Sequence, residues 1–277
     1  MASEAIAFAE ATAQLQSRYD GVSPERDDLR LGIVGAGKLG TTIARAAIAA
    51  GYDVAISGSG PADDIALTVE VLAPAARAVT TDEVVRHADL IVLAVPTHRF
   101  RELPSELFNG KILVDAMNYW EPVDGTDPEL AAAADGTSTI VQQHFLSARL
   151  VKSLNQLGYH ELDEHRQPRG APDRVAIGAA GDDRAAVAAV MRFIARLGFD
   201  AVDAGPLDNG LALEPDGSPF AVTYNADELA NLLAKPRDPA LEHPCLDGGR
   251  VDPPAAPRHH ATDDRGRNRR AATRYSA

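Results

Sequence analysis

The chain has 277 residues, is 45% hydrophobic and carries a formal net charge of −13, so it can bury the core of one or two domains. The negative charge argues against a nucleic-acid or anionic-membrane partner. No uninterrupted apolar run reaches about 18 residues, the length that a membrane span needs. These properties are typical of a soluble chain of enzyme size.

The first residues predict an extension ahead of the folded body. Residues 2–18 have the pattern of a short amphipathic helix that stops before a turn signal at Asp20. Glu4 and Glu10 lie where a signal peptide would need a basic segment and then an apolar one. We therefore expect a cytoplasmic protein.

Residues 31–60 predict a strand, a glycine turn, a helix and a second strand. An apolar run leads into Gly35-x-Gly37-x-x-Gly40, and a second apolar run follows the helix-ending Gly51. In a dinucleotide-binding βαβ unit the first glycine permits the tight turn, the second admits the pyrophosphate and the third allows close packing of the helix. The phosphates would lie at the positive end of the helix. The alternative is a doubly wound sheet whose glycine turn binds no ligand.

The end of the second strand favours NADP over NAD. An NAD site usually places Asp or Glu there, about 20 residues after the glycines, whereas this chain has Ser57 and Ser59. Lys38 adds a positive charge, and Asp63 and Asp64 have the positions of residues that open the next helix. Alternatively, the two serines are ordinary turn residues. The predicted cofactor contacts are Gly35, Ala36, Gly37, Lys38, Leu39, Gly40, Ser57, Ser59, Val95 and Pro96.

The next elements alternate between helix and strand. We predict a helix over 64–72, a short strand at 78–79 and a brief helix that ends near His87, followed by a buried strand over 89–95. His98 follows this strand at its carboxyl end, where open α/β sheets bind ligands. It is therefore a candidate contact to the nicotinamide or the hydride acceptor, with a solvated residue at a helix start as the alternative.

A second polar and aromatic cluster follows the predicted strand at 111–115. It contains Asn118, Tyr119 and Trp120, the one tryptophan of the chain. Aromatic rings and amides at this edge could wall a planar ligand ring. Ordinary core packing of Trp120 explains the same pattern equally well.

A third cluster follows the predicted strand at 149–154. Asn155 can both donate and accept hydrogen bonds, so it could orient a carboxamide. A helix is predicted over 138–146 before this strand, and a charged loop that could act as a lid is predicted over 161–172 after it.

The last predicted elements of the body are a strand over 174–180, a helix over 184–197 capped by Asp182, and a strand over 199–203. Beyond Leu233 apolar periodicity vanishes. His259 and its neighbour His260 lack further ligands, so we predict no metal site.

The elements together predict an α/β protein with a Rossmann-type, doubly wound and mostly parallel sheet. We expect four parts. Residues 1–28 form a helical extension, 29–160 the NADP-binding Rossmann domain, 161–234 a small C-terminal α/β portion packed on it, and 235–277 a disordered tail.

Four segments resemble the F420-dependent NADP reductases and their bacterial relatives: GIVGAGKLG, LIVLAVP, VKSLNQLG and AGDDRAAVAAVMRFIARLGFDAVDAGPL. The resemblance covers roughly residues 30–207. It implies NADPH in the glycine cleft, with Ser57 and Ser59 at the 2′-phosphate, hydride exchange with a flat deazaflavin ring, and a homodimer. The chain departs from the family at Gly60, which replaces an arginine, and at residues 211–225, which read as a loop in place of a helix.

Three functional hypotheses follow. The first is hydride transfer between NADP(H) and a small-molecule acceptor, either coenzyme F420 or a flavin, with His98, Asn118 and Asn155 as contacts to the acceptor or the nicotinamide. The second is a non-catalytic NADP-sensing module. The third is an imine reductase of the pyrroline-carboxylate type in which His98 or Tyr159 supplies a proton.

Overall fold

The structure, a computed structural model, describes residues 29–215 and 217–235. The strands in these residues are β1 (Leu31–Val34), β2 (Val54–Ser57), β3 (Arg77–Ala78), β4 (Leu90–Leu93), β5 (Ile112–Asp115), β6 (Arg149–Ser153), β7 (Ala176–Ala180) and β8 (Asp200–Gly205). They form one sheet in the order β3-β2-β1-β4-β5-β6-β7-β8. Strands β6 and β7 pair antiparallel, and the other neighbours are parallel. The predicted mostly parallel, doubly wound α/β fold is confirmed.

The helices in the described residues are α1 (Lys38–Ala49), α2 (Asp63–Leu72), α3 (Thr81–His87), α4 (Glu121–Asp124), α5 (Pro128–Ala131), α6 (Thr137–His144), α7 (Tyr159–Glu164), α8 (Arg184–Leu197) and α9 (Ala226–Leu233). Three 3₁₀ helices join them: η1 (Thr97–Glu102), η2 (Ser105–Phe108) and η3 (Leu207–Leu213). The helix ends follow local chemistry. Thr80 and Glu83 form a capping box at α3, and Gly198 ends α8 with a φ of 111°.

The sheet is covered on both faces, which explains the continuous apolar runs of its central strands. Strands β1, β4 and β5 are buried along their whole length. On one face α1 and α8 contribute Ile43 and Ile194 to the core. On the other face Val84, Phe108 and Phe145 fill a second core cluster.

The chain reverses its direction of winding between β1 and β4. It first adds β2 and β3 on one side of β1 and then crosses to β4 on the other side. The backbone amide of Ala94 donates to the Val34 oxygen at 2.8 Å, which joins the carboxyl ends of the two central strands. This switch point is where open α/β sheets bind ligands, and it lies at the glycine turn.

Three local predictions need correction. The lid prediction for 161–172 is wrong for its first residues, because 161–164 belong to α7, whose Leu162 is buried in the core. The cap of α8 is Asp183, whose carboxylate accepts from the Ala186 amide; Asp182 instead accepts from the Leu207 amide. The loop predicted over 211–225 is wrong for its first residues, because 211–213 belong to η3, whose Leu213 is completely buried.

The predicted extension at 1–28 and all of the predicted tail except Lys235 lie outside the described residues. His259 and His260 lie outside them too. No helix within 29–215 and 217–235 is long and apolar enough to cross a membrane.

Candidate functional site

The glycine turn after β1 has the geometry of a phosphate-binding turn. Gly35 has a φ of 121°, a region that favours glycine, and a Cβ there would overlap the Ala94 carbonyl oxygen. A Cβ on Gly40 would overlap the Gly35 carbonyl oxygen. Gly35 is therefore required by the close approach of the turn to the residue after β4, and Gly40 by the close packing of α1 on the turn.

Gly37 differs from the other two glycines. It has a φ of −79°, which any residue adopts, and a Cβ there would meet nothing within 4 Å. The first turn of α1 has no side-chain cap and no acidic residue. The amino end of α1 therefore presents backbone N–H groups and a positive dipole end to open space, which suits a phosphate anion.

The two serines after β2 lie in different environments. Ser57 is completely buried, and its Oγ lies 3.1 Å from the Thr81 Oγ1, so its hydroxyl serves the packing of α3 on the sheet. Ser59 is exposed. Asp63 and Asp64 lie in the first turn of α2, as predicted. The end of β2 is thus followed by an exposed hydroxyl at Ser59, and the Asp64 carboxylate at the start of α2 lies beside Gly60.

The loop after β6 reaches the glycine turn through α7. The Lys38 ammonium lies 5.3 Å from the centre of the Tyr159 ring, a cation–π contact at the start of both helices. The Arg45 guanidinium and the Asp163 carboxylate, 3.0 Å apart, hold α7 against α1. The third polar cluster of the sequence therefore adjoins the glycine turn.

The two candidate asparagines lie after the neighbouring strands β5 and β6 and bond each other. Asn118 Nδ2 donates to the Asn155 carbonyl oxygen at 2.8 Å, and Asn155 Nδ2 donates to Asn118 Oδ1 at 3.0 Å and to the Leu213 oxygen at 2.7 Å. Asn155 is 3% exposed, and its Oδ1 is buried without a partner among the described residues. Asn118 is half-buried. Asn118 is thus the accessible member of this amide pair.

His98 contacts the end of α4, the short helix that follows β5. Its Nδ1 lies 2.9 Å from Asp124 Oδ1, and the Asp124 side chain is 3% exposed. The Trp120 amide donates to the other oxygen of the same carboxylate at 2.9 Å. Trp120 itself is 47% exposed, so core packing does not explain its position. The histidine and the tryptophan belong to one loop structure at the carboxyl edge of the sheet.

One buried charged cluster was missed by the sequence reasoning. Lys152 is completely buried at the end of β6, and its Nζ lies 3.4 Å from the Asp115 carboxylate and 4.0 Å from the Glu214 carboxylate. A lysine directly after the apolar residues Leu150 and Val151 of a predicted strand is the sequence signal that could have revealed it. We call Lys152, Asp115 and Glu214 the buried charge cluster.

Burial raises the pKa of the Glu214 carboxyl above its ordinary value of 4.5, although the nearby Lys152 charge opposes the rise. As pH rises, the unfolded chain therefore loses the Glu214 carboxyl proton first, while the folded protein still keeps it. Stability therefore falls as pH rises from the ordinary carboxyl pKa through the raised folded value.

Glu214→Gln should remove this pH dependence while keeping an oxygen that accepts from the Thr137 amide and hydroxyl. Between about pH 5 and about pH 8 we expect the free energy of unfolding of the parent to fall relative to that of the variant. Urea unfolding at both pH values measures the difference. A gap between parent and variant that stays constant with pH would contradict the prediction.

The mostly parallel sheet, the glycine turn and the carboxyl edge at its switch point define a Rossmann-type fold. Residues 30–119 match the model of the family "NADP oxidoreductase coenzyme F420-dependent". This match confirms the resemblance seen in the sequence and covers the glycine turn, β2, β4 and β5. No curated protein matches the chain.

The solved structures similar to this chain include the following two. A hypothetical protein from Sinorhizobium meliloti has 22% sequence identity and a TM-score of 0.63, and the match covers 71% of this chain and 95% of that one. A protein from Arthrobacter sp. FB24, described as a "putative F420 dependent NADP-reductase", has 25% identity and a TM-score of 0.56, with 65% and 86% covered. The first likeness bears on the fold alone.

Proposed function

We propose that the protein transfers a hydride between NADP(H) and a flat acceptor of the deazaflavin or flavin type. The observation that carries the proposal is the exposed Ser59 at the end of β2, beside the uncapped amino end of α1. An exposed hydroxyl suits a 2′-phosphate, and the open helix end suits a pyrophosphate. The family match and the described activity of the Arthrobacter protein support the acceptor class.

The proposed cofactor site uses backbone more than side chains. The amides of residues 36–40 would hold the pyrophosphate, whereas the Gly35 amide already donates to the Ser57 oxygen at 2.8 Å. The Ser59 hydroxyl would donate to the 2′-phosphate, and Lys38 adds a positive charge. Val95 and Pro96, at the end of the adjacent strand β4, would contact the same ligand. Ser57 was predicted as a direct contact, but its hydroxyl already bonds Thr81, so its contribution would come through its backbone.

Bound NADPH would supply the hydride. Hydride transfer between two flat rings needs no proton donor at the reacting carbons, so the chain has to hold the rings in contact and exclude water. We propose that the exposed ring of Trp120 and the accessible amide of Asn118 wall the acceptor ring. Both follow β5 and lie at the carboxyl edge that carries the glycine turn.

The intrinsic fluorescence of Trp120 provides a direct test, since this is the one tryptophan in the sequence. Titration with coenzyme F420 or FMN in the presence of NADP⁺ should quench it. NADPH oxidation by each acceptor, measured without oxygen, should proceed. NADPH binding without oxidation by any deazaflavin or flavin would reject the proposal and favour an NADP-sensing module.

A second candidate is imine reduction, and the His98–Asp124 pair favours it. A nearly buried carboxylate that holds an exposed imidazole is an arrangement that can deliver a proton to a substrate nitrogen. An imine needs such a proton when it accepts a hydride at the adjacent carbon, whereas a deazaflavin does not need one from the protein.

His98→Asn separates the two candidates. If the protein reduces imines, the variant should lose about 100-fold or more in kcat/KM for a cyclic imine, because it lacks the proton donor. If the acceptor is a deazaflavin or flavin, kcat/KM should change by less than about threefold. His87→Asn is the matched control, since His87 faces the Asp53 carboxylate at 3.3 Å before β2, at the opposite edge of the sheet.

A further inference from the structure

The buried charge cluster holds both backbone polar groups of one residue, Met117. Lys152 Nζ donates to the Met117 oxygen at 2.6 Å, and the Met117 amide donates to Asp115 Oδ1 at 3.0 Å. Asp115 Oδ2 also accepts from the Ser138 hydroxyl at 2.6 Å. A buried ammonium and a buried carboxylate thus fix the backbone immediately before Asn118.

The same cluster contacts η3 and Glu214, the segment whose Leu213 oxygen accepts from Asn155. A Cβ on Gly210 of η3 would lie 2.9 Å from Lys152 Cβ, so η3 packs directly on the aliphatic part of this lysine. Glu214, which follows η3, accepts from the Thr137 amide at 2.9 Å. Between these two points the Leu213 oxygen accepts from Asn155 Nδ2. Lys152 therefore contacts both the residue before Asn118 and the helix η3, whose Leu213 oxygen accepts from Asn155.

We propose that Lys152 is the positioning residue of the amide pair Asn118–Asn155. Its ammonium fixes the Met117 carbonyl, its stem seats η3, and together they hold the two asparagines in their reciprocal hydrogen bonds. The role of Lys152 in positioning the acceptor rests on the proposed function. Its role in holding the hydrogen bonds between Asn118 and Asn155 is independent of that function.

Lys152→Met keeps the length and apolar stem of the side chain but removes the ammonium. The expected result is a rise of at least about tenfold in the exchange rate of the Asn155 side-chain amide protons, which are both hydrogen-bonded in the parent. In the proposed reaction, kcat/KM for the acceptor should fall by about tenfold or more. The Kd for NADPH should stay within about threefold, since the described contacts of Lys152 are with Asp115, Met117, Glu214 and η3, none of which belongs to the glycine turn.

Lys111→Met is the matched control. Lys111 Nζ also donates to a backbone oxygen, that of Ala88, at 2.7 Å, but from the amino end of β5 at the opposite edge of the sheet. Amide exchange and acceptor kinetics should both be unchanged in this variant. Equal losses in the two variants would show a general loss of stability and overturn the inference.

If Lys152→Met does not fold, the double variant Lys152→Met with Asp115→Asn takes its place. It removes the buried carboxylate that the first substitution leaves unpaired. The new amide keeps an oxygen atom for the Met117 amide and a nitrogen atom for the Ser138 hydroxyl. The same increase in Asn155 exchange is expected. Parent-like protection of these protons in either folded variant overturns the inference. Absence of any NADPH oxidation by the parent, with the exchange result intact, refutes the proposed function and leaves the positioning of the pair established.

Discussion

Ser59→Glu should reverse the cofactor preference of the protein from NADPH to NADH. In the parent we expect NADPH to bind at least about tenfold more tightly than NADH, because the exposed Ser59 hydroxyl donates to the 2′-phosphate and Lys38 adds a positive charge. In the variant the new carboxylate would repel the 2′-phosphate and accept from the ribose hydroxyl of NADH. Calorimetric titration of both proteins with both cofactors measures the preference.

Two controls make the result specific. Ser59→Gln introduces a side chain of nearly the same size without charge, so it should weaken NADPH binding without creating a preference for NADH. Ser57→Ala removes the buried hydroxyl that bonds Thr81 and should cost about 1 kcal/mol of stability while leaving the preference unchanged. Equal affinity of the parent for the two cofactors would refute the NADP assignment.

Gly37→Val should abolish NADPH binding without destabilising the fold. The φ of −79° and the open space around the position accommodate a β-branched side chain. That open space is where the pyrophosphate is proposed to approach the amides of α1, so the valine would occupy the ligand's place. We expect the Kd for NADPH to rise by at least about 100-fold, equivalent to about 2.7 kcal/mol. Calorimetric titration and thermal unfolding, measured on the same preparation, test both halves of the prediction.

Gly40→Ala is the converse variant. Its new methyl group would overlap the Gly35 carbonyl oxygen, so it should lower the free energy of unfolding by about 2 kcal/mol or more. A Gly37→Val protein that binds NADPH like the parent would show that the glycine turn holds no pyrophosphate. A Gly37→Val protein that unfolds as readily as Gly40→Ala would show that the position is needed for packing instead.

Most of the fold could be predicted from local pattern. The glycine turn, the buried strand runs and the amphipathic α8 each carry their signal within about 15 residues, and the structure places them close to the expected bounds. The helix boundaries at 161–164 and 211–213 were wrong because burial of Leu162 and Leu213 against distant parts of the chain decided them.

The candidate site could be predicted only in part. The positions of His98, Asn118 and Asn155 at strand ends were readable because parallel strands share a carboxyl edge. Their partners were not readable. His98 bonds Asp124, 26 residues later, and the exposure of Trp120 depends on how the loop between β5 and α5 folds.

The sequence by itself determined a doubly wound α/β protein with a dinucleotide-type glycine turn and no acidic residue at the end of β2, since these depend on short-range spacing and residue type. Only the folded structure shows that Ser59 is exposed and that the Ser57 hydroxyl is hydrogen-bonded to Thr81. It also brought Lys152 to Asp115, 37 residues away, and to Glu214. A buried charge requires partners wherever the chain can supply them, and only the folded topology specifies where they come from.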